Sequence, residues 1–111
     1  MKLDAMTKDE RSLLLFFETC AVDQRGGVDG RRINDADREI AQRWNECGFV
    51  LFGRMSFKDV SRLHKINVVR TDWCELSDEA WKLAHEERRA RAARMAKDRK
   101  YKKTSEVRQA V

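Results

Sequence analysis

Asn34-Asp35-Ala36-Asp37-Arg38-Glu39-Ile40-Ala41-Gln42-Arg43-Trp44-Asn45-Glu46-Cys47-Gly48-Phe49-Val50-Leu51-Phe52-Gly53-Arg54-Met55 is the stretch from which the rest of the chain is read. It predicts one helix running straight into one strand. Asn34 has a short side chain that can accept a hydrogen bond from an unpaired N–H of the first turn. Ala36, Ile40, Trp44 and Cys47 recur at helical spacing and predict one apolar stripe. Gly48 stands where a left-handed residue ends a helix without a Cβ clash. Phe49 to Phe52 is a short, strong strand signal, which Gly53-Arg54-Met55 extends or bends. The opposite helix face carries Arg38, Glu39, Gln42, Arg43 and Glu46.

Upstream, Thr7-Lys8-Asp9-Glu10 has the pattern of a capping box, in which Thr7 bonds forward and Glu10 reaches back. The predicted helix runs from about Lys8 to Asp23, with Leu13, Phe16, Phe17, Cys20 and Ala21 as a wide core face. Gln24-Arg25-Gly26-Gly27 stops it. Val28 to Ile33 is too short for a helix. It predicts a small edge strand with Val28 inward, then an irregular turn that exposes Arg31 and Arg32.

Downstream, Phe57, Val60, Leu63 and Ile66 recur every third residue. Residues 56–67 therefore fit either a wing-like loop with some helical turn or a short helix capped by Ser56. Val68 to Leu76 predicts a second main strand, with Val69, Thr71 and Trp73 on its inward face, antiparallel to 49–55. Ser77 caps a last helix whose first turn holds Asp78 and Glu79. Trp81 and Ala84 pack on the domain. Beyond Glu87 the run Arg88-Arg89-Ala90-Arg91-Ala92-Ala93-Arg94 favours helix but lacks large apolar groups. The expected organisation is a core over 7–87, a projecting basic helix over 88–103 and a disordered tail over 104–111.

A chain of 111 residues allows one modest core. No apolar run approaches the roughly 18 residues that span a bilayer. The N-terminus lacks a secretory pattern. The expectation is a soluble cytoplasmic protein without membrane contact, in a bacterial host or at its nucleoid. Cys20, Cys47 and Cys74 are an odd set with no CxxC, so buried thiols are expected rather than a disulfide framework or a metal site. His64 and His85 are isolated, and His85-Glu86-Glu87 lacks the second histidine of HExxH. Gly26-Gly27 and Gly30 follow a helix and lack a Gly-Lys-Ser/Thr ending, which excludes a phosphate loop. No catalytic residue, metal ligand or cofactor is predicted, and an enzyme is not expected. Trp44, Trp73 and Trp81 read as inward-packed rather than base-stacking.

Charge is uneven along the chain. Residues 1–53 hold 8 Lys and Arg against 10 Asp and Glu; residues 54–70 hold 5 against 1; residues 71–81 hold 4 acids alone; residues 82–103 hold 10 against 3. The net +5 is thus gathered in two basic stretches, and such clusters attract polyanions.

The element order, with the Glu46-Cys47-Gly48-Phe49-Val50 junction and Glu75-Leu76-Ser77-Asp78-Glu79-Ala80 closing the second strand, resembles a winged helix-turn-helix domain over roughly residues 8–95. The general look is also similar to that of small phage or mobile-element proteins. The resemblance implies an α+β fold, a two- to three-stranded antiparallel sheet and an extended basic C-terminal helix. It departs from the family in one respect. Two helices usually stand between the short strand and the wing, whereas Arg31 to Gly48 has room for one. Function would follow as double-stranded DNA binding, by a small transcriptional regulator or an accessory nucleoprotein factor. Arg38, Gln42 and Arg43 would contact bases or phosphates, with Arg31 and Arg32 beside them. Arg54, Lys58, Arg62 and Lys65 would follow the backbone from the wing. Arg88, Arg89, Arg91 and Arg94 would add phosphate contacts. The alternative is a protein-interaction module, an inhibitor or adaptor docking on a larger nucleoprotein machine. Its C-terminal helix would meet an acidic partner, or a second copy along Ala84, Arg88, Ala92 and Met95.

Overall fold

The computed structural model describes residues 2–56 and 70–109, with side chains described as far as residue 99. In chain order it has α1 (Lys8–Asp23), β1 (Gly27–Val28), α2 (Asp35–Cys47), β2 (Val50–Arg54), β3 (Asp72–Leu76) and α3 (Asp78–Gln109). Single 3-10 turns stand at Leu3–Ala5 and Gly30–Arg32. The fold is α+β, three helices on a three-stranded antiparallel sheet, counted among the described residues.

Local signals explain the helix ends. Thr7 and Glu10 close a capping box, with Thr7 Oγ1 accepting from the Glu10 N–H at 3.1 Å and Glu10 Oε1 from the Thr7 N–H at 3.2 Å. Asn34 and Asp37 form a second box at the start of α2, at 2.7 and 3.3 Å. Gly48 ends α2 with φ +76°, and the Phe49 N–H returns to the Trp44 carbonyl at 3.0 Å. Ser77 starts α3: its Oγ accepts from the Ala80 N–H at 3.1 Å and donates to the Phe49 carbonyl at 2.7 Å. That one side chain pins α3 to the α2–β2 junction.

The sheet order is β1-β3-β2, so the strand last in sequence lies in the middle. Val50 stands opposite Leu76 and Arg54 opposite Asp72, while Gly27 and Val28 face Trp73 and Asp72. α1 covers one face of the sheet, and Phe17, fully buried, centres the core. Its ring meets Trp44 edge-on at 6.3 Å and Phe52 at 5.6 Å, and Trp44 meets Phe49 at 5.3 Å. α2 lies along β2, where Asn45 Oδ1 accepts the edge-strand N–H of Phe52 at 3.0 Å. Leu13, Leu14, Val28, Ile40, Ala41, Val50, Leu83 and Ala84 complete the core. The α1 helix and the small edge strand with Val28 inward agree with the sequence reading.

Three expectations are corrected. The buried stripe of α2 is Ile40, Ala41 and Trp44, with Ala36 and Cys47 exposed. The helix packs on β2 and α1 through a face that is shorter at both ends and turned towards Ala41. The inward face of β3 is Asp72, Cys74 and Leu76, so Thr71 and Trp73 point outward. An antiparallel strand alternates strictly, and shifting the reading by one residue inverts every side chain. Cys47 is an exposed thiol, whereas Cys20 and Cys74 are buried and free. The alternative readings of 56–67, like His64, fall almost wholly outside the described residues. α3 runs from Asp78 to Gln109, and Arg91 on it reaches Ser12 of α1 at 3.3 Å.

Candidate nucleic-acid interface

The outward face of α2 presents Gln42 and Arg43, both exposed, together with Asp35, Glu39 and Glu46. Arg38, on the same helix, turns inward. Its Nη2 donates to the Gly30 carbonyl at 3.4 Å and stands 3.9 Å from Asp72 Oδ2. Asp72 is 2% exposed, and its Oδ2 also accepts from Thr71 Oγ1 at 2.8 Å. Thr71 Oγ1 in turn accepts the Gly30 N–H at 3.0 Å. A buried carboxylate therefore ties β3 to the Gly30–Arg32 turn and to α2, and Arg38 serves that tie. Asp72 Oδ1 has no partner among the described atoms.

Arg31 is likewise engaged. Its guanidinium makes a forked contact to Asp29 at 2.9 to 3.3 Å, and this pairing, before all else, holds the Asp29 carboxyl below its usual value. Arg32 on the same turn and Arg54 at the end of β2 are exposed. Lys58, Arg62 and Lys65 lie outside the described residues.

The basic run of α3 divides in two. Arg88 bonds Glu18, a carboxylate 4% exposed on α1, and donates also to Thr19 Oγ1 at 2.9 Å and the Leu15 carbonyl at 3.3 Å. His85 Nε2 lies 3.6 Å from the other Glu18 oxygen. Arg91 and Arg94 meet Glu87 at 2.8 and 3.3 Å, and Arg91 reaches Ser12 Oγ of α1 at 3.3 Å. Burial alone would raise the Glu87 carboxyl, but the two guanidiniums outweigh it and hold it below its usual value. Arg89, Lys97 and Arg99 are exposed and make no ion pair among the described residues.

Glu18, Asp72 and Glu87 are the residues that sequence reasoning missed. Glu87 carried a signal, because it continues the Ala80, Leu83, Ala84 stripe at helical spacing. Glu18 similarly follows Leu14 and Leu15 on α1. Beside the β1 edge opens a pocket of about 260 Å³ with Phe16, Cys20, Arg32 and Arg70 in its wall. Burial pushes the Cys20 thiol up, against the pull of Arg32 and Arg70, and pushes Cys74 up to about 12. Among the described residues, no three His, Cys, Asp or Glu side chains gather to hold a metal ion, and no helix is long and apolar enough to cross a membrane.

Comparison of the chain with known protein families, with curated proteins and with solved structures finds no match.

Proposed function

We propose that the chain binds double-stranded DNA as a winged-helix-like domain, in a small regulator or accessory nucleoprotein factor. The observation that carries the proposal is the sheet order β1-β3-β2, with α2 delivered to the β2 edge and a segment of net +4 joining β2 to β3. In this reading the Gly30–Arg32 turn stands in for the first helix of the usual pair, and α2 is the reading helix. Gln42 and Arg43 meet the groove, since both side chains can pair with purine edges. Arg32, Arg54, Lys58, Arg62 and Lys65 follow the phosphates. Arg89, Lys97 and Arg99 extend the contact along α3. Arg31, Arg38, Arg88, Arg91 and Arg94 leave the contact set, because their guanidiniums serve acids or carbonyls of the domain itself.

An electrophoretic shift of duplex DNA across a salt series tests the proposal. The expected result is binding at low salt whose logarithm falls linearly with the logarithm of salt concentration. Gln42→Ala with Arg43→Ala should reduce preference among sequences. Absence of any shift at low salt would refute the reading. It would favour a protein-interaction module, for which one observation speaks: Asp35, Glu39 and Glu46 are exposed on the face that would meet phosphate. In that second reading α3 docks on an acidic partner or on a second copy.

A further inference from the structure

An open-sided pocket of about 260 Å³ lies between the C-terminal half of α1 and the β1 edge. Phe16 and the buried Cys20 form its floor, and the exposed Thr19 and Gln24 stand on its rim. Arg32 and Arg70 reach it from distant parts of the chain, one from the Gly30–Arg32 turn and the other from just before β3. The Arg32 side chain is exposed and has no hydrogen bond or ion pair among the described residues. Arg70 lies across Gly27, where a Cβ would come within 2.2 Å of its Cδ and 3.0 Å of its Nε. The missing side chain opens the path by which the guanidinium reaches the Gln24 carbonyl, at 3.2 Å, and the Gln24 side-chain oxygen. Those two bonds leave three of the five N–H donors of an arginine without an acceptor among the described residues. Asp29, the acid in the wall, is already held by Arg31. Burial raises the Cys20 thiol; against it Arg32 and then Arg70 pull more strongly than Asp23 pushes. Of these charges, the positive ones prevail at the floor.

We propose that this pocket binds a small organic acid, with its carboxylate between Arg32 and Arg70 and its hydrocarbon body against Phe16 and Cys20. A guanidinium presents its donors in the plane that a carboxylate accepts. The space falls just under the roughly 300–1,000 Å³ usual for ligand pockets, so the acid is small. A single negative charge suits the site better than a dianion, because Asp29 and the negative C-terminal end of α1 lie beside it. The inference does not rest on the DNA reading, but it bears on α2. Gly30 donates its N–H to Thr71 Oγ1 at 3.0 Å and accepts from Arg38 of α2 at 3.4 Å. An acid that bridges Arg32 and Arg70 fastens the turn preceding α2 to the start of β3. It would also withdraw Arg32 from the phosphate contacts proposed above.

The test titrates the full, isotope-labelled chain with benzoate at constant ionic strength and follows the backbone amides by NMR. Benzamide, acetate and inorganic phosphate are the comparison probes. Benzoate should bind saturably with Kd on the order of 1 mM and move the amides of Phe16, Gly27 and Arg32. Benzamide lacks the charge, acetate lacks the apolar body, and phosphate lacks the body and the single charge; each should bind about tenfold more weakly or worse. Arg32→Gln, at an exposed position, should lower benzoate affinity about tenfold. Gly27→Ala, which keeps both charges but pushes the Arg70 stem aside, should lower it as well. Arg89→Gln, on the exposed side of α3, should change it by less than about twofold. No saturation by about 10 mM benzoate in the parent protein overturns the proposal. So does unchanged affinity in Arg32→Gln. Acetate or phosphate binding as tightly as benzoate reduces the site to loose pairing with any anion, and benzamide binding as tightly leaves only an apolar cleft; either result overturns the proposal too.

Discussion

Replacing Arg88 with alanine separates two roles for the basic helix, one in folding and one in binding. Arg88 is the direct partner of Glu18, whose side chain is 5% exposed, and it adds bonds to Thr19 and Leu15 across the α1–α3 seam. The substitution leaves a buried carboxylate with only His85, 3.6 Å away. Breaking a fully buried pair costs about 3–5 kcal/mol. Arg88 itself is 47% exposed, so water enters the vacated space and screens the orphaned charge. The expected cost is therefore about 2 kcal/mol. For a chain of 111 residues, that lowers Tm by about 6–14 °C. Urea unfolding followed by tryptophan emission measures it, since Trp44 is 3% exposed in the folded state. Arg89→Ala, one residue on and exposed, is the control and should stay within about 0.5 kcal/mol. A Glu18→Gln, Arg88→Ala cycle should give a coupling above about 1 kcal/mol. A cost below about 0.5 kcal/mol for Arg88→Ala, or additivity in the cycle, would refute the seam as described.

Acid should act through Glu87. Its folded pKa lies below the ordinary 4.5, so its contribution is complete above that value and is lost as pH falls through the lower folded one. Glu87→Gln should flatten the acid limb of a stability–pH curve, and an unchanged limb would contradict the pairing with Arg91 and Arg94. Gly48→Ala should cost about 1 kcal/mol, because φ is +76° while the space around its Cβ is open; Gly48→Asn should cost less, and equal stability of all three in urea would dismiss the strain. With a thiol reagent on the native protein, Cys47 should react alone, while Cys20 and Cys74 wait for unfolding; early labelling of Cys74, whose thiol burial pushes up to about 12, would contradict the core.

What the sequence disclosed followed the range of the interactions. The Thr7–Glu10 box, the Asn34 and Ser77 caps and the Gly48 stop are contacts between residues three to five apart, so each is written in a short string. The face of β3 was not written there. Val69, Thr71, Trp73 and Asp72, Cys74, Leu76 are both plausible alternations, and Asp72 argues against its own burial. It is buried because Thr71, Arg38 and the Gly30 turn converge on it from three parts of the chain. The same holds for Arg88. Read locally it belongs to a run of cations, and only folding brings Glu18, seventy positions earlier, against it.

That redistribution of charge decides where a polyanion can be held. Residues 82–103 carry 10 cations against 3 acids, yet Arg88, Arg91 and Arg94 answer Glu18 and Glu87 within the domain. The attraction of α3 is weaker than its composition suggests: without Arg88, Arg91, Arg94 and Glu87, residues 82–103 keep 7 cations against 2 acids, beside 5 against 1 over residues 54–70, so in the proposed reading the two stretches would share the contact. Neutralising Lys58, Arg62 and Lys65 together should reduce the steepness of the log K against log salt plot by about 2.7 if all three meet phosphates of duplex DNA. Neutralising Arg88, Arg91 and Arg94 should lower Tm and leave that slope nearly unchanged at temperatures where the variant is folded. Filter binding of random duplex at several salt concentrations, beside thermal melts of both variants, measures the pair. The reverse outcome, a slope set by Arg88, Arg91 and Arg94 and a fold indifferent to them, would undo the assignment of those ion pairs.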